Sequence, residues 1–273
     1  MALRDFRWAR HKGLLWVIAV VVTLFLLVYQ RRTGPTYPMR GEAVVGPETV
    51  RFELLRTQEI GQGAPVVVSV PDTAVSGTVI FRRLRSHDDW TEAPLVRQGE
   101  TLQATLPELP PAGKVAYRVR LARGTETVDL TPEPVVLRYK GVVPSWIILP
   151  HILIIFVAFL FANRTGLEAL DASGRARLWM GWTLVFLAVG GFVFGPMMQQ
   201  YAFGKLWTGF PLGHDLTDNK TLIAMLGWLF AWWKNRSGRD GRGWILAAAL
   251  LMAVVYLIPH SVLGSEMDFT QGG

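Results

Sequence analysis

The chain contains no cysteine. That excludes disulfides, thiolate metal sites, Cys-ligated iron–sulfur clusters and covalent attachment of a c-type haem. It also lacks the spacings that announce common chemistry. No His-x-x-x-His, no Glu-x-x-His and no Gly-x-Ser-x-Gly occurs. The nucleophile elbow and the paired-carboxylate di-metal helix are thereby excluded, which leans against an enzyme and leaves one open only if the chain's His and Asp residues form a metal site. Charge is sparse at 18% of residues, and acid is the scarcer sign: 28 Lys and Arg stand against 21 Asp and Glu, for a net charge of +7. A basic balance can point to nucleic acid. Here much of it flanks apolar segments, so cytoplasmic Lys and Arg beside membrane helices account for it and no nucleic-acid partner is implied.

Apolar residues are what the chain has in abundance. They make up 51% of it, with 11 Trp, and mean hydropathy is positive. These are values of a membrane protein, with the bilayer as first partner and tryptophan rings at headgroup level. Arg4, Arg7, Arg10 and Lys12 precede an uncharged run, Gly13 to Tyr29. Its 17 residues reach the lower limit for a helical span, about 17. No small-x-small cleavage site follows, so residues 1–32 read as a cytoplasmic N-terminus and an uncleaved anchor.

After a Gly- and Pro-rich linker the period changes to two. Val50, Phe52 and Leu54 alternate with polar neighbours, as do Leu102, Ala104 and Leu106, then Val115, Tyr117, Val119 and Leu121. Val79 and Phe81 flank Ile80. Such runs bury one face and wet the other, and about seven of them imply a β-sandwich over residues 33–141. The run from Leu109 to Leu121 resembles the entry to a late strand of fibronectin type III or immunoglobulin-like domains. That resemblance implies that Tyr117 ties a corner through its hydroxyl. It specifies fold and not function. His87-Asp88-Asp89-Trp90 reads as a hairpin loop with a solvated charge pair. Arg82, Arg83 and Arg85 read as a charged sheet edge, with a partner-binding patch as the alternative.

Residues 142–273 return to apolar segments: Ile147–Ala162, Leu178–Phe194, Thr221–Trp233 and Trp244–Ile258. The expected fold is a membrane α-helical bundle of about five spans with an inserted extracytoplasmic all-β sandwich. Charge supports the orientation. Loops 163–178 and 234–243 carry Arg164, Arg175, Arg177, Lys234, Arg236, Arg239 and Arg242, whereas loop 195–220 carries only Lys205 and Lys220. The first two therefore face the cytoplasm, and the sandwich and C-terminus face the periplasm of a bacterial inner membrane.

Residues 195–220 form an ordered outer loop. Tyr201 and Trp207 read as interfacial aromatics, and Asp218 as the N-cap of the next helix, with Asp215 or Thr217 as caps one turn earlier. His151 follows Pro150, and His260 follows Pro259. At ~1.5 Å per residue, His151 lies ~5–10 Å below the outer interface, and His260 at a similar level. Three chemistries compete there. His151 and His260 suit a bis-histidine haem b, with haem as the cofactor. His214, Asp215 and Asp218 suit a metal. A proton or ion path is the third. Structurally, each histidine instead satisfies a carbonyl freed by its neighbouring proline. The stretch Tyr201–Thr221 together with Pro259–Glu266 resembles a group of uncharacterised bacterial multi-span membrane proteins, over roughly residues 140–270. The resemblance implies a signature loop and lends no activity. The expected role is an accessory or assembly subunit that binds other subunits of a membrane complex through its sandwich. An electron-transfer component is the alternative.

Overall fold

A computed structural model describes residues 12–170, 175–236, 241–259, 264 and 266–270. It divides into two compact units. One is helical. The other is built on Pro35–Val142 and also takes in Ala202–Gly204 and tail residues 266–270.

The β unit holds eleven strands. β1 (Met39–Val45), β2 (Glu48–Leu54), β4 (Ala64–Ser69), β8 (Thr101–Leu106) and β7 (Val96–Gln98) form one sheet in that order. The second runs β3 (Thr57–Glu59), β11 (Val135–Lys140), β9 (Lys114–Arg123), β5 (Val75–Arg83) and β6 (Thr91–Pro94), with β10 (Glu126–Asp129) paired to β9. All pairings are antiparallel except β11 with β3. The alternating residues read from sequence supply the shared core. Val50, Phe52 and Leu54 meet Val115, Tyr117, Val119 and Leu121 across it, in a sandwich-like arrangement. Tyr117 does not close a local corner. Its hydroxyl donates to the Leu55 carbonyl, 62 positions away, at 2.8 Å. Tyr139 does the same to Pro107 at 2.8 Å. Burial holds the Tyr139 hydroxyl up at about 12 and pushes that of Tyr117 up as well, so both stay neutral donors.

The helical unit contains α1 (Lys12–Thr33), α2 (Ser145–Glu168), α3 (Ala176–Val189), a π segment (Gly190–Phe194), α4 (Gly195–Phe203) as far as Tyr201, α5 (Leu216–Lys234) and α6 (Arg242–Leu257). Among the described residues three helices are long and apolar enough to cross a membrane: α1, α2 and the continuous run Ala176–Phe203. α6 is apolar but shorter. α5 carries Asp218, Lys220 and Lys234. Each helix buries a narrow stripe and leaves apolar residues outside. α1 buries Leu15, Ala19, Thr23 and Leu26 at helical spacing, while Val17, Val21, Phe25 and Val28 are exposed. Trp146 and Leu153 of α2, Trp182 and Val185 of α3, and Leu250 of α6 are exposed too. An exterior of this kind suits lipid rather than water.

Polar groups sit inside instead. Asn163 donates to the Thr23 hydroxyl at 2.9 Å and joins α2 to α1. Gln30 donates to the Tyr256 carbonyl at 2.8 Å and joins α1 to α6. Two sequence boundaries move. The loop expected from residue 163 starts later, because α2 runs on to Glu168. Arg164 is therefore not a loop cation. It is buried against the touching rings of Trp16 and Trp179, 5.5 and 5.6 Å from their centroids, and pairs with Glu168 one turn on. Glu168 also accepts the Arg175 amide at 2.8 Å. The loop expected from 195 likewise starts later, because the helix continues through the π segment to Phe203.

Candidate functional site

The best-organised polar cluster of the helical unit lies where residues 204–215 fold onto the first turn of α5. Asp215 is the N-cap: its Oδ1 accepts the Thr217 amide at 2.8 Å. Asp218, expected as the cap, lies in the first helical turn. Its Oδ2 accepts the amides of Thr208 at 2.6 Å and Gly209 at 2.9 Å. The hydroxyl of Thr208 lies 3.3 Å from the same oxygen and is also held by Gln199. Asn219 accepts the Phe210 amide at 2.7 Å, and Thr208 returns its carbonyl to the Asp215 amide at 2.9 Å. Successive backbone amides converging on one carboxylate form a nest of the kind that binds anions, and here a side chain of the chain fills it.

Glycine is required at this crossing. A Cβ on Gly209 would stand 2.5 Å from the Asp218 Cβ, and one on Gly213 would stand 2.4 Å from the Thr208 oxygen. The Phe210–Pro211 peptide is cis. Trp207 stacks on Phe192 at 5.7 Å and donates to the Phe210 carbonyl at 3.1 Å. It is thus part of the loop's own packing. Tyr201 is exposed on α4. Lys220, buried one turn into α5, donates to the carbonyls of Ile258 at 2.6 Å and Pro259 at 3.4 Å. It satisfies the end of α6, where unpaired carbonyls and the negative end of the helix favour a cation.

His151 lies elsewhere in the unit. It sits on α2 against the π segment, and its Nδ1 is 3.1 Å from the Gly190 oxygen. A carbonyl only accepts, so Nδ1 carries the proton and Nε2 is left with its lone pair in the neutral ring. Gly190 O also accepts the Gly195 amide. The carbonyl that His151 satisfies is therefore that of the π turn, not one freed by Pro150. The glycines permit the approach: a Cβ on Gly190 would stand 2.8 Å from Ile155 of α2, and one on Gly191 2.5 Å from Thr221 of α5. π turns inside α-helices recur at functional sites.

His214 is exposed beside its loop. Among the described residues no three His, Asp or Glu are placed to hold a metal. The expected set His214, Asp215 and Asp218 does not assemble, because the two carboxylates are engaged by backbone amides. His260 lies outside the described residues. Sequence reasoning missed Arg164, Glu168, Lys220, Gln199 and Thr208. For Arg164 and Glu168 a signal existed: an opposite-charge pair at i, i+4 directly after an apolar run. No family model, no curated protein and no solved structure matches the chain.

Proposed function

We propose that this chain is an integral membrane accessory or assembly subunit of a bacterial membrane complex, spanning the inner membrane about five times and presenting its β unit on the periplasmic side to other subunits. One observation carries the reading. On the outward face of the larger sheet, Trp90 lies against both Arg82 and Arg118, whose guanidinium carbons are 4.7 and 5.1 Å from its ring centroid. Tryptophan and arginine together are the residue types that dominate protein interfaces. The remaining basic side chains of the unit are largely spent in ion pairs within it, such as Arg120 with Asp129 and Arg123 with Asp72. The helical unit supports the same reading through its apolar exterior and the hydrogen bonds that join its helices inside, such as Asn163 to Thr23, which describe a scaffold.

The test is affinity purification of the tagged chain from native membranes. A stoichiometric partner is expected, and it is lost in Trp90→Ala combined with Arg82→Glu. A chain that purifies alone from gently solubilised membranes contradicts the role.

A second reading has one specific support. His151 is anchored through Nδ1 with Nε2 unspent, the arrangement that orients a haem or metal ligand. In that reading His151 and His260 ligate haem b, and the protein carries electrons. A Soret band that His151→Ala abolishes supports it; a blank spectrum and blank metal analysis reject it.

A further inference from the structure

We propose that the notch between the end of β5 and the start of β9 is a peptide-binding site for an extended segment with the pattern acidic-x-x-aromatic, and that the chain's own tail is its resident ligand. The tail enters as Glu266-Met267-Asp268-Phe269. Each oxygen of the Glu266 carboxylate has its own cation: Oε1 is 2.5 Å from Arg85 and Oε2 is 2.6 Å from Lys114. Three residues on, the ring of Phe269 lies under the guanidinium of Arg83 at 4.9 Å. Arg83 is held flat for this by a two-bond grip on Asp88, at 2.6 and 2.8 Å.

The main chain is engaged at alternate residues. The Met267 amide donates to Ala112 at 3.2 Å, and the Phe269 amide donates to Arg85 at 2.9 Å. Donation from residues i and i+2 is how an extended strand is captured along one edge, with side-chain pockets adding specificity. The two accepting residues are unusual. Arg85 at φ 50° and Ala112 at φ 69° are the only non-glycine residues at positive φ among the described residues. Backbone held in that region is costly and persists where the surroundings demand it. Here both strained residues aim their carbonyls at the tail. Asp268 then closes a tight turn, accepting the amide and hydroxyl of Thr270 at 2.9 and 2.5 Å, and ends the extended stretch.

A terminus merely tied down needs none of this. Two cations on one carboxylate, a clamped arginine over one ring and two strained carbonyls in register make a receptor with sequence preference. The tail acts as a built-in competitor, and the ligand in trans is an extended acidic–aromatic segment of another polypeptide. The site stands apart from the accessory-subunit reading, since capture in trans is measurable whether or not a complex partner is found.

The test uses the full chain in detergent micelles and a fluorescein-labelled peptide, Gly-Ser-Glu-Met-Asp-Phe-Thr-Gln-Gly-Gly, followed by anisotropy. The chain carrying Glu266→Lys and Phe269→Ala, its resident tail weakened, should bind the peptide at least about tenfold more tightly than the unaltered chain. Lys114→Gln added to that variant, or glutamine in place of the peptide's glutamate, should weaken binding by about tenfold. Equal affinity for the two chains, no binding to the weakened chain, or equal binding of a scrambled peptide overturns the proposal. If the double variant fails to give a monodisperse sample, Phe269→Ala alone serves, with the same expected order and the same contradiction.

Discussion

The two units treat charge in opposite ways. In the β unit ion pairs are exposed or half-exposed for the most part, as in Arg40 with Glu53, Arg51 with Glu42 and Arg83 with Asp88. Its core is apolar apart from two tyrosine hydroxyls that reach carbonyls at its rim. The helical unit is the reverse. Its exterior is Leu, Val and Trp, while Thr23, Arg164, Thr165, Glu168, Thr183, Asp215, Asp218 and Lys220 are buried inside. Of the buried polar residues described, only Thr131 and Arg138 belong to the β unit. Each unit hides the groups that its own solvent receives badly. Water pulls charge outward and drives apolar surface in. A bilayer supplies no such drive, so helices meet through small residues and hydrogen bonds instead. The Asn163–Thr23 bond and the Gly190–Ile155 contact are of that kind.

This contrast predicts an order of mutational effects. Arg164→Ala should be the most damaging change, because it strands the Glu168 carboxylate without its cation. A loss of about 3–5 kcal/mol is expected, read as a collapse of thermal or SDS resistance in micelles. Adding Glu168→Gln should recover part of it. If Arg164→Ala alone is tolerated, Glu168 does not depend on this cation.

Asp218→Ala comes next. It removes two charged bonds to backbone amides and frees the loop, at a cost of about 2–3 kcal/mol. Protease nicking at residues 204–214 would report it, and Asp218→Asn should be milder. An equally resistant loop in Asp218→Ala would show that the carboxylate does not hold it.

Tyr117→Phe should cost about 1–1.5 kcal/mol in unfolding of the β unit, since it leaves the Leu55 carbonyl without its buried donor. A change too small to measure would place that carbonyl in contact with water.

The surface pairs form the bottom of the scale. Arg40→Ala should leave stability nearly unchanged, and any effect should shrink at high salt. The pH response follows the same logic. The Arg83 guanidinium, followed by its field and the Ser86 hydroxyl, holds Asp88 down at about 2. A depressed carboxylate contributes stability that is present above its unfolded value, near 3.8, and is lost as pH falls toward 2. Arg83→Ala should flatten that part of an acid titration of the β unit. An unchanged profile would remove Asp88 from the account.

How far the sequence alone led differs between the units for the same reason. Period-two alternation records a one-sided core directly, so Val50, Phe52 and Leu54, and Val115, Tyr117, Val119 and Leu121, face the core as their spacing predicts. Tyr117 was recognisable as a tie, but its acceptor lies 62 residues away and is a matter of sheet packing. In the helical unit, charge is a poor guide to boundaries. Arg164 reads as a loop residue because an arginine after an apolar run normally marks its end. The rings that admit it come from Trp16 and Trp179, far along the chain. Asp215 and Asp218 are both sound caps by type, and only the return of Thr208 and Gly209 decides between them. The π turn at Gly190 has no spacing of its own, although the glycines were legible as points of close contact.

The proposed topology, a membrane-spanning helical unit with the β unit on the outer side, is the reading to test first. The absence of cysteine makes it directly testable. Single substitutions Arg51→Cys in β2 and Arg177→Cys in α3, both at exposed positions, are treated with a membrane-impermeant maleimide on spheroplasts. Labelling of Arg51→Cys before lysis, with Arg177→Cys protected until lysis, is the predicted result. The reverse pattern, or equal labelling of both before lysis with the membrane intact, would contradict it.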